Sequence, residues 1–169
     1  VGMPDSCGTI DAIAHMYEST NVLFATMEQP EKLLRAIELV NQGWEKSNEE
    51  FYKLFHKAYG GAYHSWMSLW APGRIAQLQV DLSVMLSPDA FEEFAVPELE
   101  QQLEWTDYAV YHFDGAEQER HLDHLLSLDK IKAVQWTDVA GQEPPVHYMH
   151  ILKRIQEAGK GILVYTDKE

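Results

Sequence analysis

The residues best suited to chemistry stand at the ends of two apolar, strand-like segments, where polar side chains recur at every second position. Asp81 and Ser83 close the first segment, and His112 and Asp114 close the second. Because alternate residues of a strand face the same side, His112 and Asp114 are expected to point together. A histidine beside a carboxylate can act as a general base, as a proton donor or as a pair of metal ligands. We predict Asp81, His112 and Asp114 as catalytic residues, with His112 and Asp114 as metal ligands.

The same residues also have a structural interpretation. An isolated His-x-Asp pair can simply hold a loop together, and Asp81 can cap a helix or form an ion pair. An ionised carboxylate at the end of an apolar strand is costly unless it is paired, solvated in a cleft or used as a cap. If the two strands are neighbours in a parallel sheet, their carboxyl ends lie side by side and Asp81 and His112 face one cleft.

Four further side chains are candidate substrate contacts because they lie at predicted strand ends or in the loops beyond them. Asp5 stands in a strand-to-helix loop, a usual place for ligand contacts. Ser83 shares the parity of Asp81, and Gln135 ends a third strand beside Trp136. The amide of Gln135 can orient a substrate or serve a backbone hydrogen bond.

The remaining motifs favour structure over chemistry. His121 and His124 lie three residues apart on a predicted helix, a spacing that suits a metal, but the surrounding leucines favour a helix face. Nothing in the sequence around Cys7 indicates an activated thiol. The chain contains no Cys-x-x-Cys, no Gly-x-Gly-x-x-Gly and no phosphate loop, so nucleotide-dependent chemistry has no local support.

The elements that must position these residues alternate between helix and strand. The apolar periodicity predicts helices over residues 9–19, 31–59, 88–103, 117–126 and 146–158, and strands over 63–69, 75–83, 108–113, 131–136 and 162–165. A break in the long second helix is expected near Gly43 or Ser47. Strict alternation places Gln135 on the same strand face as Ile131.

This alternation predicts an α/β fold of parallel strands with right-handed crossover helices, part of a TIM-type (β/α)8 barrel. The 169 residues are expected to form a single domain, residues 1–169. A complete eight-unit barrel typically needs roughly 250 residues, so we expect a fragment of a larger barrel protein.

Composition limits the classes of partner. Lys and Arg number 13 against 27 Asp and Glu, which gives a formal net charge of −14. Nucleic acid and acidic membrane are therefore excluded as expected partners, and a small-molecule substrate is favoured. The single cysteine fits a reducing, cytoplasmic compartment. No apolar run approaches the roughly 20 residues that span a bilayer.

Three segments resemble the uroporphyrinogen decarboxylase superfamily. Residues 79–94, QVDLSVMLSPDAFEEF, with Pro97 beyond them, resemble its strand-helix segment. Residues 111–115, YHFDG, and residues 131–136, IKAVQW, are similar to its next two strand ends. Residues 2–19 match a further segment of the family more loosely.

The resemblance implies a TIM barrel with one of two activities. These are cofactor-free decarboxylation of porphyrinogen acetates, and methyl transfer between corrinoid proteins and thiols or other acceptors. The zinc motif of the methyltransferase branch, His-x-Cys, falls on His112, with Asp114 at the cysteine position. The resemblance thus implies zinc as a cofactor and a corrinoid protein as a partner, although an oxygen ligand gives zinc a different charge and geometry from a thiolate.

Of these activities we expect methyl transfer, because a porphyrinogen-like substrate with many carboxylates would meet a repulsive field on so acidic a chain. The first alternative is the cofactor-free decarboxylase. The second is a non-catalytic binding or assembly module, in which the polar groups close loops and open sheet edges pair in a homodimer.

Overall fold

The computed structural model describes residues 2–165, which form an α/β fold. Three helices come first, namely α1 (Thr9–Tyr17), α2 (Ser19–Glu28) and α3 (Pro30–Tyr59). A short antiparallel hairpin follows, made of β1 (Ala62–His64) and β2 (Leu69–Ala71). Upstream of these elements, Met3 forms a parallel bridge with His64 of β1.

The second half of the chain builds a four-stranded parallel sheet. Its strands are β3 (Ile75–Leu78), β4 (Tyr108–Phe113), β5 (Ile131–Trp136) and β6 (Gly161–Val164), and they lie in this order. Helical segments cross between successive strands. Between β3 and β4 lie α4 (Pro88–Ala90), a π-helical turn (Phe91–Ala95) and α5 (Val96–Trp105). Between β4 and β5 lie a 3₁₀ helix (Ala116–His121) and α6 (Leu122–Ser127), and between β5 and β6 lie a 3₁₀ turn (Pro145–Tyr148) and α7 (Met149–Glu157). The predicted parallel sheet with crossover helices is therefore confirmed.

Helix α3 runs without interruption for 30 residues. Pro30 occupies its first turn, where a missing N–H costs nothing, and Gly60 ends it in the left-handed conformation at φ +68°. The predicted break near Gly43 or Ser47 is wrong. One apolar face, which includes Leu33, Ile37 and Trp44, stays buried along this stretch and outweighs the low helix propensity of a single glycine.

The two faces of the parallel sheet differ in chemistry. One face packs on the helices, and its buried side chains, among them Leu78, Tyr111 and Val134, belong to the main hydrophobic core. The opposite face carries buried polar side chains, including Gln77, His112 and Gln135. Fully burying one large apolar side chain stabilises a fold by about 1.5–3 kcal/mol, so the helix-packed face holds the sheet together. The polar face does not contribute to this core, so its side chains can serve a functional site.

Strand β5 carries a register irregularity opposite β4. Ala109 pairs with Ile131, but the next residue, Val110, pairs with Ala133, so Lys132 is an extra residue in the ladder. Such a bulge reverses the side-chain parity on either side of it. Ile131 packs in the main core, whereas Gln135 lies on the polar face. The prediction that these two residues share a face is therefore wrong.

Strand β3 is shorter than predicted. It ends at Leu78, and the chain turns into a 3₁₀ helix over Asp81–Met85. The cause is a distant carboxylate: Asp11 on α1 accepts the backbone N–H groups of Asp81 and Leu82, which a continuing strand would have offered to a neighbouring strand. Asp81 and Ser83 thus lie beyond the strand, within this turn.

Within residues 2–165, none of the helices is both long enough and apolar enough to cross a membrane.

Candidate functional site

The carboxyl ends of β3 and β4 bring Asp81 and His112 together. Asp81 Oδ1 lies 4.0 Å from His112 Nε2. The two strands are parallel neighbours, so their ends meet at the same edge of the sheet, where α/β proteins bind their ligands. The expected proximity of Asp81 and His112 is present, and it is the basis of the candidate site.

His112 is buried, and side chains from three directions fix its ring. Its Nδ1 lies 2.5 Å from Oε1 of Gln135, the residue that pairs with it on β5. Thr137 Oγ1 lies 3.1 Å from the same nitrogen. Trp66, in the turn between β1 and β2, packs edge-on against the ring with a centroid distance of 5.1 Å. Nε2 is left as the nitrogen that faces Asp81.

Asp81 is held by a chain of buried glutamines. Gln77 Nε2 donates to Gln79 Oε1 at 2.5 Å, and Gln79 Nε2 donates to Asp81 Oδ2 at 2.9 Å. The other carboxyl oxygen, Oδ1, is buried and has no hydrogen-bond partner within residues 2–165. A buried acceptor without a partner is rare in native proteins and calls for an explanation, such as a ligand that supplies the missing donor.

Burial is the main cause of an altered acidity at Asp81. Removal from water raises its pKa to about 6, and the negative charge of Asp11 adds to the rise, whereas a charged His112 opposes it. The charge of Asp114 raises the pKa further, and the hydrogen bond from Gln79 lowers it. A carboxyl group with a pKa near 6 exchanges a proton close to neutral pH, which is what general acid–base catalysis requires.

Asp11 links α1 to this site. Its two oxygens accept the N–H groups of Asp81 and Leu82 at 2.9 and 2.8 Å, and its burial raises its pKa. The approach is close because Gly8, at the start of α1, has no side chain: a Cβ there would lie 2.3 Å from the carbonyl oxygen of Gln79. A groove of about 170 Å³ beside Asp11 and Asp81 opens the site to solvent past His15 and Met85.

The other predicted site residues lie in different surroundings. Asp114 follows β4 directly and is half-buried, and its backbone N–H donates to Gln118. Ser83 is fully buried, and its carbonyl accepts from His121. Trp136 packs in the helix-facing core against Tyr148.

Asp5 lies apart from these residues, in the loop before α1. It is exposed, and its side chain accepts the backbone N–H of Cys7 at 3.2 Å. Together with α3 residues such as Trp44 and Asn48, it lines a second cleft of about 470 Å³. The substrate-binding roles predicted for Asp5, Ser83, Gln135 and Trp136 stay predictions.

The donor set does not fit the zinc motif of the methyltransferase branch. That motif needs a thiolate, and the single thiol of the chain, Cys7, has its pKa raised to about 12 by burial and by the charges of Asp11, Asp81 and Asp5. In the part of the chain that the structure describes, no group of three or more His, Cys, Asp or Glu side chains is arranged to hold a metal ion. The metal role of His112 and Asp114 stays a prediction.

Sequence reasoning missed several residues of the site. Trp66 and Thr137 stand in turns whose path depends on the whole fold, and no local pattern marks them. Asp11 did carry a signal. It stands between Ile10 and Ile13 on the apolar side of α1, where a carboxylate needs a specific partner.

The site is thus defined by its own geometry: at the carboxyl ends of adjacent parallel strands, an imidazole ring faces a carboxyl group, one oxygen of which has no hydrogen-bond partner among residues 2–165. The arrangement can move a proton to or from a small molecule bound against the two side chains. No protein-family model, curated protein or solved structure matches this chain.

Proposed function

We propose that this cluster is the active site of a methyltransferase-like member of the uroporphyrinogen decarboxylase superfamily, in which His112 and Asp81 act as an acid–base pair. The observation that carries the proposal is the 4.0 Å approach of His112 Nε2 to Asp81 Oδ1, whose oxygen is buried without a partner in residues 2–165. A substrate with a hydrogen-bond donor would complete the site. The methyl-transfer assignment itself is supported by the sequence resemblance.

We further propose that the sheet is part of a (β/α)8 barrel. The parallel order β3-β4-β5-β6 supports this, because each connection contains a crossover helix. On the other side of β3, β1 contacts β3, and Met3 bridges to His64 of β1 in parallel. A barrel would place further parallel strands beside β3, with the polar face of the sheet turned to its interior.

The proposed chemistry needs a proton acceptor. When an acceptor group X–H takes a methyl group, the bond from X to carbon forms, the donor keeps the electron pair of the broken methyl bond, and the proton of X must leave. His112 Nε2 takes this proton, and ionised Asp81 stabilises the resulting imidazolium. Trp66 and the buried sheet face limit the access of water to the ring.

Substituting His112 with alanine in the full-length protein tests this role. We expect methyl transfer from methylcobalamin to a small thiol, followed by the absorbance of the cobalamin, to fall by about 10²–10⁴-fold because the proton acceptor is lost. The control variant is His147→Ala, which removes an exposed histidine on the 3₁₀ turn before α7. Unchanged turnover in the His112 variant would reject the proposal. Zinc analysis of both proteins reports separately on the predicted metal role.

Asp81 favours one second candidate, the cofactor-free decarboxylase. Loss of CO₂ leaves a carbanion that must be protonated, and a carboxyl group with its pKa raised to about 6 can supply that proton. The negative charges of Asp11 and Asp114 beside it disfavour a substrate with several carboxylates. Release of CO₂ from a porphyrinogen, without methyl transfer, would select this candidate.

The partners that we propose are a small-molecule substrate and a corrinoid protein in the cytoplasm. The lone Cys7 is consistent with a reducing compartment. A non-catalytic assembly module is the remaining alternative. In favour of it, β6 pairs on one side only among the described residues, and its Ile162 is exposed. A stable homodimer by light scattering, without either activity, would support that alternative.

A further inference from the structure

We propose that Gln135 is a positioning residue that fixes the tautomer of His112, so that the lone pair of the ring is on Nε2 and faces Asp81. The inference deepens the proposed function and rests on it, because it takes His112 as the proton acceptor. It also gives Gln135 a role different from the substrate contact that its place at a strand end predicts.

The orientation of the Gln135 amide follows from its own hydrogen bonds. Its Nε2 donates to the carbonyl oxygen of Trp136 at 2.6 Å and to Thr137 Oγ1 at 3.2 Å. A backbone carbonyl can only accept a hydrogen bond, so the amide nitrogen must be on that side. The amide oxygen, Oε1, is therefore the atom that faces His112.

The short contact between Gln135 and His112 then determines where the ring carries its proton. Oε1 lies 2.5 Å from Nδ1 of His112. Two atoms that both present lone pairs would repel at this distance, so Nδ1 must carry the hydrogen and donate it to Oε1. In the neutral ring Nε2 then carries the lone pair, and it lies 4.0 Å from Asp81 Oδ1 and 3.5 Å from Thr137 Oγ1.

Thr137 could select the opposite tautomer if Gln135 were absent. Its hydroxyl lies 3.1 Å from Nδ1 and can donate as well as accept. If the Thr137 hydroxyl donated a hydrogen bond to Nδ1, Nδ1 would have to be unprotonated and the ring hydrogen would be on Nε2. Nε2 could then not accept a proton. Gln135 prevents this second tautomer because its amide oxygen can only accept a hydrogen bond, which requires a hydrogen on Nδ1.

Gln135 is well placed for a structural task of this kind. It is 2% exposed, and both its oxygen and its nitrogen are engaged by neighbouring protein groups. Its strand neighbour is His112 itself, through the β4–β5 ladder, so backbone pairing holds the two side chains in register. Partners of this kind, which orient a functional histidine without touching substrate, typically change activity by 10–100-fold when removed from metal-ligating histidines.

Nitrogen NMR on the full chain labelled with ¹⁵N-histidine tests the inference. The His112 signals are identified by their loss in His112→Ala, and a protonated and a bare ring nitrogen are distinguished by their chemical shifts. We expect the wild type to hold the hydrogen on Nδ1. In Gln135→Met, which keeps the length but has no oxygen, we expect the hydrogen to move wholly or partly to Nε2 and kcat to fall about 10–100-fold with KM nearly unchanged.

Two further variants separate positioning from damage to the fold. Gln135→Glu keeps an acceptor beside Nδ1 and should keep the hydrogen there. Thr137→Val, which removes the other neighbour of Nδ1, should also keep it there. A Gln135→Met protein that retains the hydrogen on Nδ1 would overturn the inference. If that variant does not fold, loss of the Nδ1 hydrogen in Gln135→Glu would overturn it instead.

The measurement is independent of turnover. The tautomer is determined without substrate, so a shift of the hydrogen in Gln135→Met supports the positioning role even where methyl transfer is absent in every variant. Absence of transfer in all of them, the wild type included, would count against the proposed function alone.

Discussion

Two carboxyl groups of this protein, Glu98 and Asp81, both lie near helix starts, but their oxygens are used differently. Glu98 is 1% exposed, and its carboxyl group accepts the first N–H groups of α1, from Thr9 and from Ile10 at 3.0 Å, as well as a side-chain donor from Gln102. Asp81 accepts one donor on Oδ2 from Gln79, and its Oδ1 has no partner among residues 2–165.

The difference teaches how to separate a structural acid from a candidate catalytic one. Glu98 satisfies the free N–H groups at a helix start, and these hydrogen bonds offset part of the cost of its burial. Asp81 faces the ring of His112 with an oxygen that the described protein leaves unsatisfied. A raised pKa alone does not distinguish the two groups, because the pKa of each carboxyl group is above its ordinary value. The number of hydrogen-bond donors to the carboxyl oxygens does distinguish them.

The largest effect that we expect is the loss of stability in Glu98→Ala. The variant leaves the N–H groups of Thr9 and Ile10 buried without an acceptor, and each such group costs about 1–3 kcal/mol. We therefore expect the free energy of unfolding to fall by about 2–5 kcal/mol in urea denaturation. The control is Glu100→Ala, an exposed acid on the same helix, which should change stability little. A loss below about 0.5 kcal/mol in Glu98→Ala would show that Glu98 does not stabilise the fold as a structural acid.

Asp81→Asn should show the opposite behaviour. Folding raises the pKa of Asp81, so removal of its charge should leave the free energy of unfolding unchanged or slightly higher. Activity should fall about 10²-fold or more, because an amide cannot stabilise the imidazolium by charge. Urea denaturation and the methyl-transfer assay on the same preparation measure both effects. Asp89→Asn, an exposed acid at the start of α4, is the matched control. Strong destabilisation with retained activity would make Asp81 a structural acid like Glu98.

A further test of the comparison is the pH dependence of stability that Glu98 contributes. Burial raises its pKa to about 8 from an ordinary value of 4.5, so the folded protein holds this proton more tightly than the unfolded chain. The contribution is complete below pH 4.5 and is lost as the pH rises towards 8. The free energy of unfolding should decrease more steeply with pH in the wild type than in Glu98→Gln.

Two histidines change the free energy of unfolding with pH in the opposite direction, at lower pH values. Burial lowers the pKa values of His64 and His121, so their contribution is present above pH 6.5 and is lost as the pH falls through their folded pKa values. Both histidines are retained in Glu98→Gln, so the difference between the two stability curves isolates Glu98. Parallel curves between pH 5 and 8 would show that Glu98 does not titrate in this range.

Local sequence predicted the strands better than the turns that carry the site. Strands β4 and β5 were expected over residues 108–113 and 131–136, and both have these bounds, because short apolar runs between turn residues specify strands. The same reasoning extended β3 to residue 83. It could not include Asp11, whose carboxylate lies 70 residues away in sequence and redirects the backbone at Asp81.

The candidate site was predictable in part for the same reason. Adjacent parallel strands bring their ends together whatever the loops do, so the approach of Asp81 to His112 followed from the alternation of helix and strand. The partners of His112 did not follow. Trp66 reaches the ring from a distant hairpin, and Gln135 reaches it because of the bulge in β5, which strict alternation does not reveal.

That bulge determines which residue of β5 lies opposite His112. Continued without Lys132 as an extra residue, the ladder that begins with Ala109 opposite Ile131 would bring Val134 opposite His112. The amide of Gln135 would then point among the helices, and an aliphatic side chain would stand beside the imidazole. The extra residue Lys132 therefore decides whether His112, three residue pairs further along the ladder, has a polar or an aliphatic neighbour.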